Sequence, residues 1–250
     1  MAPTPEGCAG GPGGSPAESA PDSVGGAGDG APPPATLYDV LGDARARGLL
    51  GGAALDDQVA HALGFARAYE AVAAGTPPAA PQRWMDLGSG GGLPGLVLAG
   101  HWPSAVGVLL DAARRRARFL EEAVGALGWQ ERLEVRWARA EDAGRDAALR
   151  SSFDLVVARS FGPPAVTAEC AAPFLHPGGL LVVSEPPDDV AAEDRGPRPR
   201  WPGAELAALG LRPEASVRSR AGYQVLRQVE PCPDRFPRRP GMPEKRPLYR

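Results

Sequence analysis

Between Arg83 and Glu185 short apolar runs alternate with segments whose apolar residues recur at helical spacing. The runs are "RWMDL", "VGVLLD", "LEVRW", "FDLVVA" and "GGLLVVSE". Strands that alternate with helices pair in parallel through right-handed crossovers, so this stretch predicts an open, doubly wound α/β sheet. "LPGLVLAG" is the first predicted helix. The second is "AARRRARFLEEAVGALG", whose Phe119, Leu120, Ala123, Val124 and Leu127 share one face and belong to the core. "PAVTAECAAPFL" precedes the fifth strand. The end of the chain differs. "ASVRSR" and "YQVLRQVE" are separated only by turn residues, a connection that joins antiparallel strands.

The flanks have another character. "MAPTPEGCAGGPGGSPAESAPDSVGGAGDGAPPP" has almost nothing to bury and cannot offset the entropy of ordering, so residues 1–35 are expected to be a disordered tail. Residues 36–75 are predicted as a helical region, with Val59, Leu63, Ala66 and Tyr69 at helical spacing behind Asp56 and Asp57. "GTPPAAPQ" is a linker, and residues 82–250 form the α/β domain.

No run approaches the 18 or so apolar residues that span a bilayer, and the N-terminus lacks a signal-like core, so a cytoplasmic, membrane-free protein is expected. Cys8, Cys170 and Cys232 lie far apart, as do His61, His101 and His176, which suggests neither a metal site nor a disulfide framework. The formal charge of -3 is uneven: residues 1–34 hold four acids and no base, while residues 195–250 hold thirteen bases against five acids. The basic end suits a polyanion such as nucleic acid, and equally a solvated arginine-rich face.

The glycine stretch "DLGSGGGLPG" joins the first strand to its helix, where sheets of this kind bind ligands. Gly90-x-Gly92-x-x-Gly95 matches a dinucleotide fingerprint, but a loop this rich in glycine almost guarantees some match. Asp86 lies two residues before the first glycine and would repel a pyrophosphate, whereas it suits a cation or hydroxyl. Asp111 ends the second strand, from which a carboxylate reaches ribose hydroxyls, or caps the helix that follows. A nucleoside with a cationic amino-acid tail satisfies both acids. S-adenosylmethionine is such a molecule, with the loop residues Gly88, Ser89 and Gly90 against it; NAD is the weaker alternative.

"DLGSGGGLPGLVLA", "VLLDAARRRARFLEE", "ARAED", "FDLVVARSFGPP", "PFLHPGGLLVV" and the closing "RFPRRPGMPEKRPL" together resemble the bacterial 16S rRNA guanine-N7 methyltransferase family, RsmG, over residues 45–185 and 223–248. The resemblance implies a class I methyltransferase fold, Rossmann-like and mostly parallel, with an antiparallel C-terminal strand and a helical N-terminal extension. It implies S-adenosylmethionine as cofactor and 16S rRNA or the small ribosomal subunit as partner; a monomer is expected, though the sequence itself does not fix the oligomeric state. Gly88 and Leu93 match cofactor-touching positions, Asp111 the ribose-binding acid, Ala140 and Glu141 the pair lining the adenine. Arg159 matches an arginine facing cofactor and target, and His61 a histidine of the N-terminal helices. Arg115 and Arg116 match a basic pair.

Guanine N7 carries a lone pair and no proton, so its methylation needs no general base, and alignment is the main requirement. An arginine forked onto O6 and N7 would cover the nucleophile, so Arg159 is assigned to positioning. Arg235, Arg238, Arg239, Lys245 and Arg246, interleaved with prolines, form a stiff basic strap suited to RNA phosphates. The chain departs from the family in lacking an N-L-T motif, in "ARSF" where S-R-A is common, and in Glu185 where a lysine is usual. These departures bear on the target base; a divergent paralogue with another substrate, or a silent rRNA-binding module, would keep the same cofactor crevice.

Overall fold

The computed structural model describes Met1 and residues 35–73, 80–186, 199–218 and 221–249. The expected tail and most of the expected linker lie outside the described residues. Residues 34–250 form one unit.

Two helices open it, α1 (Leu37–Ala46) and α2 (Leu55–Glu70). Thr36 caps α1 in a reciprocal arrangement with Asp39, each side chain bonding the other residue's backbone N–H. Then come β1 (Arg83–Leu87), α3 (Gly95–His101), β2 (Val106–Asp111), α4 (Arg114–Ala126), β3 (Leu133–Trp137), a short α5 (Ala140–Ala143) and β4 (Phe153–Ala158). After α6 (Pro164–Ala171) and a 3-10 turn (Ala172–Phe174) follow β5 (Leu175–Ser184), α7 (Gly203–Ala207), β6 (Leu211–Arg218), β7 (Gly222–Gln228) and α8 (Met242–Lys245).

The sheet order is β3-β2-β1-β4-β5-β7-β6. Every pair from β3 to β5 is parallel, and β7 lies antiparallel to both β5 and β6. The strand order reverses between β1 and β4, and ligands of such sheets sit beyond the strand tips at that reversal.

Side-chain alternation along the strands divides the core into two layers. Met85, Leu87, Val108, Leu110, Val156 and Leu181 face one layer, shared with α6, α7 and Phe236. Trp84, Leu109, Leu155, Val157, Leu180 and Val182 face the other, shared with Phe65 of α2, with α3, and with Phe119 and Leu120 of α4. Asp86 has the parity of Trp84, so its carboxyl enters an apolar layer. The N-terminal helices are therefore part of the core: Tyr223 of β7 is buried beside Phe65 and donates its hydroxyl hydrogen to the His61 carbonyl at 2.7 Å.

Candidate functional site

The glycine turn after β1 is held from three sides. The Gly90 N–H donates to Asp111 Oδ2 at 2.9 Å, and Gly90 has φ +58°, a backbone that suits glycine. A Cβ on Gly91 would lie 2.7 Å from the Leu49 carbonyl, so the α1–α2 connection presses directly on the loop. Leu93 is buried against Leu41, Ala62 and Val97. Ser89 is buried and donates its hydroxyl to the Asp86 carbonyl.

Beneath the turn, Asp86 is fully buried. Oδ2 accepts the Gly95 N–H at 2.9 Å, while Oδ1 is buried with no hydrogen-bond partner among the described residues. Burial is the main reason its pKa is pushed up to about 7; the bond from Gly95 and the nearby Ser89 hydroxyl oppose the shift, Asp111 adds to it, and Arg159 counters. The Asp86 Oδ1 has room in its hydrogen-bonding capacity for a cationic or hydrogen-bonding neighbour. Asp111 is also buried, its oxygens accepting from Gly90 and from Ala113 N–H at 2.8 Å, with Arg116 at 3.7 Å.

The glycine turn borders an open crevice of about 240 Å³ whose walls include Gly88, Ser89, Gly90, Leu93 and Arg159, while Asp86 and Asp111 support the turn without lining the crevice themselves. Arg159 leaves the tip of β4, half-buried, and makes no ion pair among the described residues. Burial lowers its pKa, and the nearby Asp86 and Tyr223 oppose that effect. His61 lies near it: burial, then the Arg159 charge, press its pKa down to about 4, and its Nδ1 is buried without a partner among the described residues.

Other expected site residues point elsewhere. Ala140 and Glu141 begin α5 and are buried, but the Glu141 carboxylate accepts from Arg139 at 2.9 Å and from the Gly241 N–H at 2.8 Å. Burial alone would raise the Glu141 pKa; those bonds bring it below the usual value. Only the backbone side of this pair is left to meet a ligand. In the strap, Arg235, Arg239, Lys245 and Arg246 are exposed as expected. Arg238 departs from that expectation. Its guanidinium turns inward and grips the fully buried Glu169 at 2.8 and 2.6 Å, and its own N–H bonds the same carboxylate. A fork closed on a buried carboxylate is withdrawn from phosphates. Glu185 is likewise answered within the chain, by Trp201 Nε1 at 2.6 Å and Arg200 at 2.8 Å, so the acid presents less charge than its position in the sequence suggests.

Five crevice residues escaped the sequence reading. Gln58, Leu49, Leu50 and Gly51 come from the N-terminal helices and their connection, and Ser160, at φ 52°, follows Arg159. The non-glycine residue at positive φ is a backbone feature that composition does not announce. Gln58 is buried, its amide donating to the Gly51 and Ala53 carbonyls, and no spacing rule marks it.

Residues 66–188 match the family model GidB, described as rRNA small subunit methyltransferase G. The protein of that name from Pelotomaculum thermopropionicum is 37% identical over 171 residues, covering 66% of this chain and 69% of the relative. That from Moorella thermoacetica is 36% identical over 178 residues, covering 69% and 71%. The chain belongs to the rRNA small subunit methyltransferase G family. Its fold is shared more widely: the O-methyltransferase from Bacillus cereus, solved in complex with SAH, aligns with a TM-score of 0.56 at 15% identity, covering 76% of this chain and 90% of that one. The family's match spans β1 to β5, so it includes Asp86, the glycine turn, Asp111, α5 and Arg159.

Proposed function

We propose that this protein transfers a methyl group from S-adenosylmethionine to N7 of a guanine in the 16S rRNA of the small ribosomal subunit. The observation that carries this, in a member of this family, is a crevice lined by a glycine turn that Asp111 ties down and beneath which the buried Asp86 keeps one carboxylate oxygen without a partner among the described residues. The donor set fits that cofactor: two acids for a cation and two hydroxyls, close backbone at Gly88 to Gly90, and no phosphate cradle. Asp86 would face the cationic amino-acid end, Asp111 the ribose, and the backbone at Ala140 and Glu141 the adenine. When bound, the cofactor supplies an electrophilic methyl group to a base nitrogen that already holds its lone pair.

The chain's own part is then to align and to exclude water. Arg159 offers an unpaired cation at the mouth of the crevice, able to hold the target's O6 or an adjacent phosphate without covering N7. His61, neutral at physiological pH by its burial, adds no repulsion beside it. No described group stands as a general base in this arrangement, and the reaction needs none. Ribosomal substrate implies work in the cytoplasm, and no helix among the described residues is long and apolar enough to cross a membrane.

The direct test is incorporation of labelled methyl into small subunits prepared without this modification, with the product base identified after hydrolysis. Formation of 7-methylguanine is expected; a methylated base of another kind, or none with cofactor bound, refutes the assignment. Arg159→Ala should lower turnover at least tenfold while barely moving the melting midpoint, since removing an unpaired side chain strands no partner. Equal damage to both would remove Arg159 from its role.

A further inference from the structure

A second concavity stands beside the crevice, and its walls are basic. It measures about 420 Å³ and is lined by Arg47 just after α1 and by Arg114, Arg115, Arg118 and Glu122 of α4. Leu49 borders both depressions, and Arg116 of the same helix borders the crevice, so the two share a wall.

The acids present do not neutralise this surface. Glu122 is shared by Arg47 at 2.6 Å and Arg118 at 3.1 Å, and Asp43 also holds Arg47. Arg115 gives one N–H to the Arg47 carbonyl at 2.7 Å, a bond that leaves its charge in place. Arg114 and Arg115 pair with no carboxylate among the described residues. A solvated helical face usually answers a base with an acid four residues on, as Arg118 is answered by Glu122. Four residues after Arg114 comes Arg118, and four after Arg115 comes Phe119. The first turn of α4 holds three arginines and no acid, against the preference of the helix dipole, so the fold concentrates positive potential here. Arg114 also lies over the Trp137 ring at 5.3 Å. That indole is 58% exposed and is fixed by its N–H on the Ala112 carbonyl at 3.1 Å.

Resting on the methyltransferase reading, we propose that this surface docks the single-stranded RNA flanking the target base. Arg114 and Arg115 hold phosphates, and Trp137 offers a face on which an unpaired base stacks. The shared wall at Leu49 lets a strand held on α4 continue directly into the crevice. Unneutralised cations beside an exposed, anchored aromatic ring are the pairing that single-stranded nucleic acid recognises.

The experiment is fluorescence anisotropy with a labelled single-stranded RNA across a series of salt concentrations. Wild type, Arg114→Ala with Arg115→Ala, and Trp137→Ala are compared, each also titrated calorimetrically with S-adenosylhomocysteine. The double variant should lower the slope of log affinity against log salt by about 1.4, roughly 0.7 for each single-strand phosphate that is no longer neutralised. Trp137→Ala should weaken binding about tenfold with the slope unchanged. S-adenosylhomocysteine affinity should stay at the wild-type value in all three. RNA affinity and slope that do not change in either variant overturn the proposal, as does absence of RNA binding by the wild type. Loss of RNA binding matched by equal loss of S-adenosylhomocysteine affinity also overturns it, because the arginines would then serve the fold. A wild type that shows the expected binding pattern yet transfers no methyl group would instead defeat the methyltransferase reading and leave the docking surface standing.

Discussion

Asp86 places a fully buried carboxyl beneath the glycine turn. Its pKa of about 7 exceeds the ordinary value of 3.8 because burial penalises the charge. The sign for stability follows. An acid whose folded pKa is raised contributes stability that is complete below about pH 4 and lost as pH rises through about 7, because the folded state then carries an unpaired buried charge. Asp86→Asn should flatten that part of the pH dependence of the melting midpoint. For binding the sign reverses: a cationic ligand requires the carboxylate, so cofactor affinity should fall about tenfold for each pH unit below 7 in the wild type and stay level in Asp86→Asn. Calorimetry at pH 6, 7 and 8 tests it, and a wild-type affinity independent of pH would separate Asp86 from the cation. The acid's place before the glycines was legible in the sequence. Its protonation was not, since that depends on the apolar layer that α3 closes over it.

At the scale of elements, the C-terminal segment does more than carry charge. Arg150 donates to the carbonyls of Cys232, Pro233 and Phe236, Gly241 is tied to Glu141, and Arg238 holds Glu169 on α6. The segment is thereby fastened to α5, the element whose backbone is proposed to meet the adenine. Arg238→Ala would leave the Glu169 carboxylate buried and unpaired, a loss of about 3–5 kcal/mol. A large fall in the melting midpoint is expected, together with weaker S-adenosylhomocysteine binding as α5 loosens. Arg239→Ala, on an exposed neighbour, should leave the midpoint within about a degree and weaken only RNA binding, because a surface change away from such features costs little. Equal midpoints for the two variants would return Arg238 to the phosphate-binding set. The strap was visible in the sequence as prolines among bases. Which bases face outward was not, because the acid that turns Arg238 inward lies 69 residues earlier in the chain.

For the molecule as a whole, the folded crevice links ligand binding to stability. At a hundredfold excess over its dissociation constant, a ligand that binds only the folded state adds about 2.7 kcal/mol. S-adenosylhomocysteine should therefore raise the melting midpoint by several degrees and NAD should not. A midpoint raised by NAD alone would assign the glycine turn to a dinucleotide. The N-terminal helices matter at this scale too. Gln58 and Gly51 line the crevice and Leu49 presses on Gly91, so the region expected as an extension is a wall of the site.

Periodicity and turn chemistry act between residues close in the chain, and these alone specified the alternating strands and helices, the antiparallel end and the glycine turn between two acids. Charge partners act between residues distant in the chain. Only packing could decide that Glu141 bonds Gly241, that Glu185 is answered by Trp201 and Arg200, that Arg238 is withdrawn, and that Arg114 and Arg115 meet no acid among the described residues. A buried charge must find a partner, and where the chain brings that partner is a property of the folded sheet.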